Sequence, residues 1–311
     1  MHEIIRAIEA EAGKAILGKE EIIRKVLTVI IAGGHILLED IPGVGKTTLA
    51  LAFSRAMDLQ FNRVQFTPDV VPSDITGFTV YSKKSEKFVY RPGAAMCNIL
   101  LADEINRTSS KTQSSLLEVM QEGSITVDGR TWKVPEPFVV IATQNPIGTA
   151  GTQMLPEAQL DRFMIQLSIG YPDEEAEINI LKDRKQTDPL QSIVRVAGAE
   201  DVMAMGREAR EVFIHDMIYG YITALCRRSR EHELIRLGLS PRGALSLTAM
   251  AQAWAYVQGR EFVIPQDIWA VFPDVARHRL MLHTRAGVQG KDKESIIAEL
   301  LQDVPLPQLN Q

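Results

Sequence analysis

The chain has 311 residues, 45% of them hydrophobic, and a formal net charge of −5. That length exceeds one average domain and suggests two. The acidic balance, with a pI near 5.8, argues against a constitutive nucleic-acid binder. The longest apolar run, near Val26 to Leu38, is broken by Gly33, Gly34 and His35, which excludes a membrane span there.

Apolar residues at helical spacing predict two helices within residues 2–32. The first carries Ile4, Ile5, Ile8 and Ile16; the second carries Ile22, Ile23, Val26, Val29 and Ile30. Between them stands Ile16-Leu17-Gly18-Lys19. Two readings fit that glycine: an apolar contact for an adenine, or a helix cap. The stretch Met1 to Ala12 carries acids and lacks the basic-then-apolar order of a signal peptide, so a cytoplasmic protein is expected. Cys97 and Cys226 lie far apart without metal or redox spacing, and are expected as buried free thiols.

The stretch Ile36 to Thr48 organises the chain. Ile36-Leu37-Leu38 reads as a buried strand, Pro42-Gly43-Val44-Gly45 as a turn, and Lys46-Thr47-Thr48 as the start of a helix. Strand, glycine-rich turn and helix is the arrangement that holds a nucleotide phosphate. Without Cβ atoms the glycines let backbone amides close around the anion, and the helix N-terminus adds partial positive charge. Lys46 is expected on the β- and γ-phosphates, and the Thr47 hydroxyl on Mg²⁺. Asp40 stands where the full P-loop pattern has Gly. Either its carboxylate points away from the phosphates, or it weakens nucleotide binding.

Downstream, Arg63 to Thr67 reads as a strand. Phe78 to Tyr81 and Lys87 to Tyr90 flank a charged tip, Ser82 to Glu86, and predict a hairpin. The hairpin is either a plain surface loop or a contact for a partner. Asn98 to Ala102 is an apolar strand that ends on Asp103-Glu104, and ligands of doubly wound sheets gather at that end of a strand. Asp103 is expected to hold Mg²⁺ and Glu104 to polarise the attacking water. A helix is expected over Ser110 to Gln121. A second hairpin, residues 124–134, turns at Asp128-Gly129-Arg130.

Phe138 to Thr143 predicts a further buried strand, followed by Gln144-Asn145-Pro146. Asn145 fits either a γ-phosphate contact or an Asx turn before proline. Pro156 and Glu157 open a helix that leads to Asp161-Arg162 and an apolar strand, Phe163 to Ile169. Arg162 fits either a salt bridge with Asp161 or an arginine that neutralises phosphate charge. Gly170 to Asp173 marks a boundary. Helical patterns then dominate, near 174–184, 199–206, 208–229, 241–258, 265–281 and 291–301, with Trp254 and Trp269 expected in their core. Ser240-Pro241 starts one of these helices, which sets Arg242 at an N-terminus, where the dipole disfavours a cation. An anionic partner explains the placement, and so does simple solvent exposure.

The motif order resembles the AAA+ ATPases, and the finer strings resemble the MoxR family. They are Gly34 to Glu39, Leu101-Ala102-Asp103-Glu104-Ile105-Asn106-Arg107, Ala142 to Pro146, and Leu155 to Phe163. The resemblance covers nearly the whole chain. It implies an α/β P-loop core (residues 1–170) with a parallel sheet flanked by helices and two hairpin insertions, then an all-α lid (residues 171–311). It implies ATP and Mg²⁺ as ligands and a ring, usually hexameric. Asn145 is similar to sensor 1, Arg162 to an arginine finger acting on the neighbouring subunit, and Arg242 to sensor 2 acting within its own subunit. Leu17 and Gly18 resemble the adenine-contacting segment, and Arg107 an interface position. A chaperone-like role in remodelling protein complexes is implied, with a von Willebrand factor A-domain protein as partner. Rival readings are an ATP-binding switch with little hydrolysis and a nucleic-acid motor.

Overall fold

The computed structural model describes residues 1–41, 43–144, 154–172, 174, 177–178 and 188–307. In chain order the first part runs α1 (His2–Gly13), α2 (Glu20–Ala32), β1 (Ile36–Glu39), α3 (Lys46–Ala56), β2 (Phe61–Gln65) and α4 (Pro72–Thr76). It continues with β3 (Phe78–Ser82), β4 (Lys87–Arg91), β5 (Ile99–Asp103), α5 (Ser110–Glu122), β6 (Ser124–Val127), β7 (Arg130–Lys133), β8 (Val139–Gln144), α6 (Glu157–Leu160) and β9 (Ile165–Leu167).

Five strands form one parallel sheet in the order β2-β5-β8-β1-β9. Uninterrupted apolar runs suit its centre, because helical layers cover both faces. The alternation of a strand divides its side chains between the two layers. Ile36 and Leu38 of β1 join the core shared with α1, α2 and α3. Leu37 joins the opposite core, shared with α5.

The expected hairpins form β3–β4 and β6–β7, both antiparallel. The second turns on two residues, Asp128 and Gly129, both at positive φ, one residue tighter than the sequence pattern suggested. Tyr90 of the first hairpin stacks on Trp132 of the second, ring centroids 4.1 Å apart. The two insertions therefore make one unit. Tyr81 and Phe88 project from it and are exposed.

A helical part follows: α7 (Ala199–Arg210), α8 (Asp216–Glu231), β10 (Ile235–Leu237), α9 (Pro241–Val257), α10 (Pro265–Ala276), β11 (Met281–Leu282), α11 (Thr284–Val288) and α12 (Lys293–Asp303). The expected helix 208–229 is split. His215 caps α8 with its ring, accepting from the Met217 amide, and Phe213 bridges to Phe262 instead of continuing a helix. The strand expected over residues 163–169 is regular only at β9. Most of the helix expected near 174–184 lies outside the described residues. Trp254 is buried as expected, but Trp269 is 40% exposed and donates its indole N–H to Tyr221 Oη. Cys97 and Cys226 are free and buried, and burial pushes the Cys97 thiol up to about 12.

The helical part is not a loose cap. α2 packs against α7 and α9, and residues of α1, α2 and α3 share one continuous hydrophobic core with the lid helices. Lys25 of α2 also pairs with the buried Asp274 of α10 at 2.7 Å. That core ties the lid to the layer behind the P-loop.

Candidate active site

β1 ends at Glu39 and α3 begins at Lys46, so the turn between them lies at the C-terminal edge of the sheet. Gly43 and Gly45 take φ values of 89° and 92°, a region costly for residues with a Cβ. Thr47 and Thr48 stand in the first turn of α3. Ile16 Cδ1 lies 3.7 Å from the point where a Cβ on Gly45 would stand, so the Ile16-Leu17-Gly18 stretch abuts the turn. Pro42 lies outside the described residues, as does Asn145. Lys46 Nζ donates to the Asp40 carbonyl oxygen at 2.9 Å. Burial pushes the Lys46 ammonium below its ordinary value, against the opposing pull of Asp40, Asp103 and Glu104. Two expected site residues, Asp103 and Glu104, thus stand near a third, Lys46.

Asp103 closes β5, and Glu104 follows in a left-handed conformation, φ 56°, uncommon for a residue with a side chain. Thr143 of β8 holds this bend. Its hydroxyl donates to Asp103 Oδ1 at 2.6 Å and accepts from the Glu104 amide at 2.8 Å. Asp103 Oδ2 accepts from Arg63 Nη2 at 2.7 Å, and Glu104 Oε2 from Arg107 Nη1 at 2.9 Å. Thr47 and Asp103 offer only oxygen donors, which fits a hard cation such as Mg²⁺.

Of the two alternatives at Asp40, the structure shows the first, a carboxylate bound to the chain after β9. Its carboxylate points away from the turn, 5% exposed. Oδ1 accepts from Ser168 Oγ at 2.9 Å and from the Gly170 amide at 3.1 Å; Oδ2 accepts from the Ile169 amide at 2.5 Å.

Arg162 and Arg242 stand elsewhere. Met164 donates its amide to the carbonyl of His35, the residue before β1, so Arg162 lies at the N-terminal edge of the sheet. β1 has four residues and spans about 13 Å between that edge and the P-loop. Arg162 Nη1 donates to the Leu117 carbonyl of α5 at 2.6 Å. Its buried Nε has no hydrogen-bond partner among the described residues. It borders a cavity of about 260 Å³ lined also by Glu118, Gln121, Glu122 and Gln159. Arg242 Nη2 reaches Gln121 Oε1 of the same helix at 3.4 Å. Arg242, expected at its own subunit's nucleotide site, thus stands in this structure at the edge where Arg162 sits, to which the shared core carries the lid.

His35 fixes that edge. Its Nδ1 accepts from the Val140 amide at 3.1 Å, which leaves Nε2 to donate to the Met120 carbonyl at 3.0 Å. Burial pushes its ring down to about 4, so it stays neutral near pH 7.

The salt bridge considered between Arg162 and Asp161 is replaced by another. Asp161 Oδ1 accepts from Arg279 Nε at 2.7 Å, and its Oδ2 from Ser240 Oγ at 2.7 Å. Arg279, only 4% exposed, also donates to the carbonyls of Asp161, Phe163, Met164 and Val275. One guanidinium thus ties the Arg162 segment to the lid. Removing one partner of a buried pair leaves the other groups uncompensated. Arg279→Ala should cost about 3–5 kcal/mol, read as a thermal midpoint lower by roughly 2–4 °C per kcal/mol. A shift under about 2 °C would contradict this reading.

Sequence reasoning missed Arg63, Thr143 and Arg279. Arg63 and Asp103 meet only through the parallel pairing of β2 with β5. Thr143 carried a signal, a hydroxyl at the end of an otherwise apolar strand. Arg279 carried none, since an arginine near a helix end reads as solvated.

Comparison with known proteins agrees with this architecture. Residues 35–165 match the family model described as "ATPase family associated with various cellular activities (AAA)", and residues 227–300 match "AAA lid domain". The chain is 44% identical over 307 residues to the uncharacterized protein YeaC of Bacillus subtilis, covering 99% of this chain and 96% of that protein. It is 40% identical to Chaperone MoxR1 of Mycobacterium tuberculosis, covering 100% of this chain and 84% of that protein. A crystal structure assigned as a candidate ATPase from Cytophaga hutchinsonii superposes with a TM-score of 0.92 at 35% identity, covering 99% of this chain and 96% of that one. The five-stranded parallel sheet is an AAA+ core, the helices after it are its lid, and the chain belongs to the MoxR family of AAA+ ATPases.

Proposed function

We propose that this chain hydrolyses Mg-ATP as a hexameric ring, with each nucleotide site split between neighbouring subunits. One observation carries the reading. Lys46 follows β1, and Asp103 and Glu104 stand at the end of β5, at one edge of the sheet, while Arg162 and Arg242 both bond to α5 at the other. A head-to-tail contact that closes into a ring brings one edge against the other.

In that arrangement Lys46 leaves the Asp40 carbonyl for the β- and γ-phosphates, and the amides of the Gly43–Gly45 turn receive phosphate oxygens. Thr47 and Asp103 would hold Mg²⁺, whose bound charge offsets that of the phosphates. Glu104, aimed by the Thr143-held bend, orients water for in-line attack. Asn145 would assist as sensor 1. Arg162 and Arg242 both act on the neighbour's γ-phosphate, stabilising charge as it develops. Because each lid shares a core with its own α1–α3 layer, hydrolysis would shift one subunit against the next rather than open a lid within one.

The chaperone-like role in this reading, remodelling or maturing protein complexes, is supported by the name of a relative, Chaperone MoxR1. The paired hairpins offer exposed Tyr81 and Phe88 for a protein client, and a von Willebrand factor A-domain protein is the partner to try first.

The test is phosphate release from Mg-ATP across a protein dilution series, with assembly followed by sedimentation. Specific activity should fall as rings dissociate and return on concentration. No release above background from assembled particles would overturn the ATPase reading. Activity unchanged down to the monomer would overturn the split site.

A further inference from the structure

Asp40 is the residue that departs from the P-loop pattern, and its contacts explain why a glycine would not serve. Its backbone carbonyl holds Lys46 Nζ at 2.9 Å. Its carboxylate takes three donors from one strap of chain after β9: Ser168 Oγ, the Ile169 amide and the Gly170 amide. A carboxylate is acceptor-only, so it suits a position facing three donors. Glycine would allow the turn but leave the Ile169 and Gly170 amides without these acceptors, a costly loss at a 5% exposed site.

The strap is fixed a second time. Lys19 Nζ donates to the Tyr171 carbonyl at 2.8 Å, and Gly170 turns there at φ 66°. Lys19 directly follows Ile16-Leu17-Gly18, the stretch that abuts Gly45. The strap Ser168–Tyr171 and the Ile16–Gly18 stretch therefore stand beside each other next to the phosphate turn.

We propose that Asp40 is a positioning residue for the nucleoside half of the site: it holds the strap in register with the P-loop, so that a purine lodges between the strap and Ile16–Gly18. The inference rests on the nucleotide reading above. It assigns Asp40 a stabilising part in nucleoside binding, and not a repulsion of phosphate.

The test compares ADP with inorganic pyrophosphate by calorimetry on wild type, Asp40→Asn, Asp40→Gly and the milder Ser168→Ala. Loss of one charge-assisted bond should weaken ADP about tenfold in Asp40→Asn, while pyrophosphate changes by less than about threefold. Ser168→Ala should move the ratio of the two affinities in the same direction, and it carries the test if the Asp40 variants fail to fold. Hydrogen exchange at the Ile169 and Gly170 amides should quicken in Asp40→Asn without nucleotide, a readout independent of binding. Tighter binding of both ligands would mean the carboxylate repels phosphate, and would overturn the proposal. Equal weakening of both would mean a distorted P-loop, and unchanged ADP binding would mean no role; either result overturns it. Wild type that binds neither ligand would overturn the nucleotide reading itself, and this inference with it.

Discussion

Glu104→Gln should cut steady-state phosphate release by about 10²–10⁴-fold while Mg-ATP still binds. The substitution keeps the shape of the side chain and removes only its capacity to take a proton or align water as an anion. The backbone bend that aims it, φ 56°, is held through the Glu104 amide and Thr143 Oγ1 and does not depend on the carboxylate. The variant should therefore fold, assemble and bind nucleotide. Arg107 pairs with the same carboxylate at 2.9 Å, so part of the effect passes through that contact. Arg107→Ala in parallel separates the two: it should leave Glu104 able to act, with a much smaller loss. Turnover in Glu104→Gln within about threefold of wild type would remove Glu104 from the water-orienting role.

The second large effect is expected at Arg162. Arg162→Ala should lower turnover by about 10³-fold or more, the scale of an arginine that meets developing phosphate charge. Nucleotide affinity should change little, since four residues of β1 separate Arg162 from its own P-loop. The side chain is held ready rather than fully used: Nη1 is on the Leu117 carbonyl, and Nε has no partner among the described residues. Arg242→Ala should show the same split between turnover and binding. A large loss of affinity in either variant, measured on monomer, would mean that the arginine serves its own subunit.

The nucleotide edge was legible because its chemistry is local. Strand, glycine turn and Lys46-Thr47 lie within a dozen residues, and Asp103-Glu104 directly ends an apolar run. The hairpins were legible from alternation and the Asp128-Gly129 turn. What escaped depends on contacts distant in sequence. The direction of Asp40 is set by Ser168, Ile169 and Gly170, 128 to 130 residues on. Arg279 meets Asp161 across 118 residues. Periodicity predicts that lid helices have apolar faces; it does not say against which layer those faces pack. That packing, through α2 with α7 and α9, decides that Arg242 stands beside Arg162 and not beside Lys46. The overlong helix expected over 208–229 failed for a similar reason. Phe213 is apolar at helical spacing, yet its backbone is spent on a bridge to Phe262.

A mixing experiment tests the split site most directly. Lys46→Ala and Arg162→Ala proteins are each expected to be silent alone, the first for want of a phosphate-binding lysine, the second for want of the neighbour's arginine. Combined in equal amounts and reassembled, about one quarter of head-to-tail interfaces would pair an intact P-loop with an intact Arg162. Phosphate release should then return to a comparable fraction of the wild-type rate. Continued silence from a mixture shown by sedimentation to form mixed rings would contradict the account.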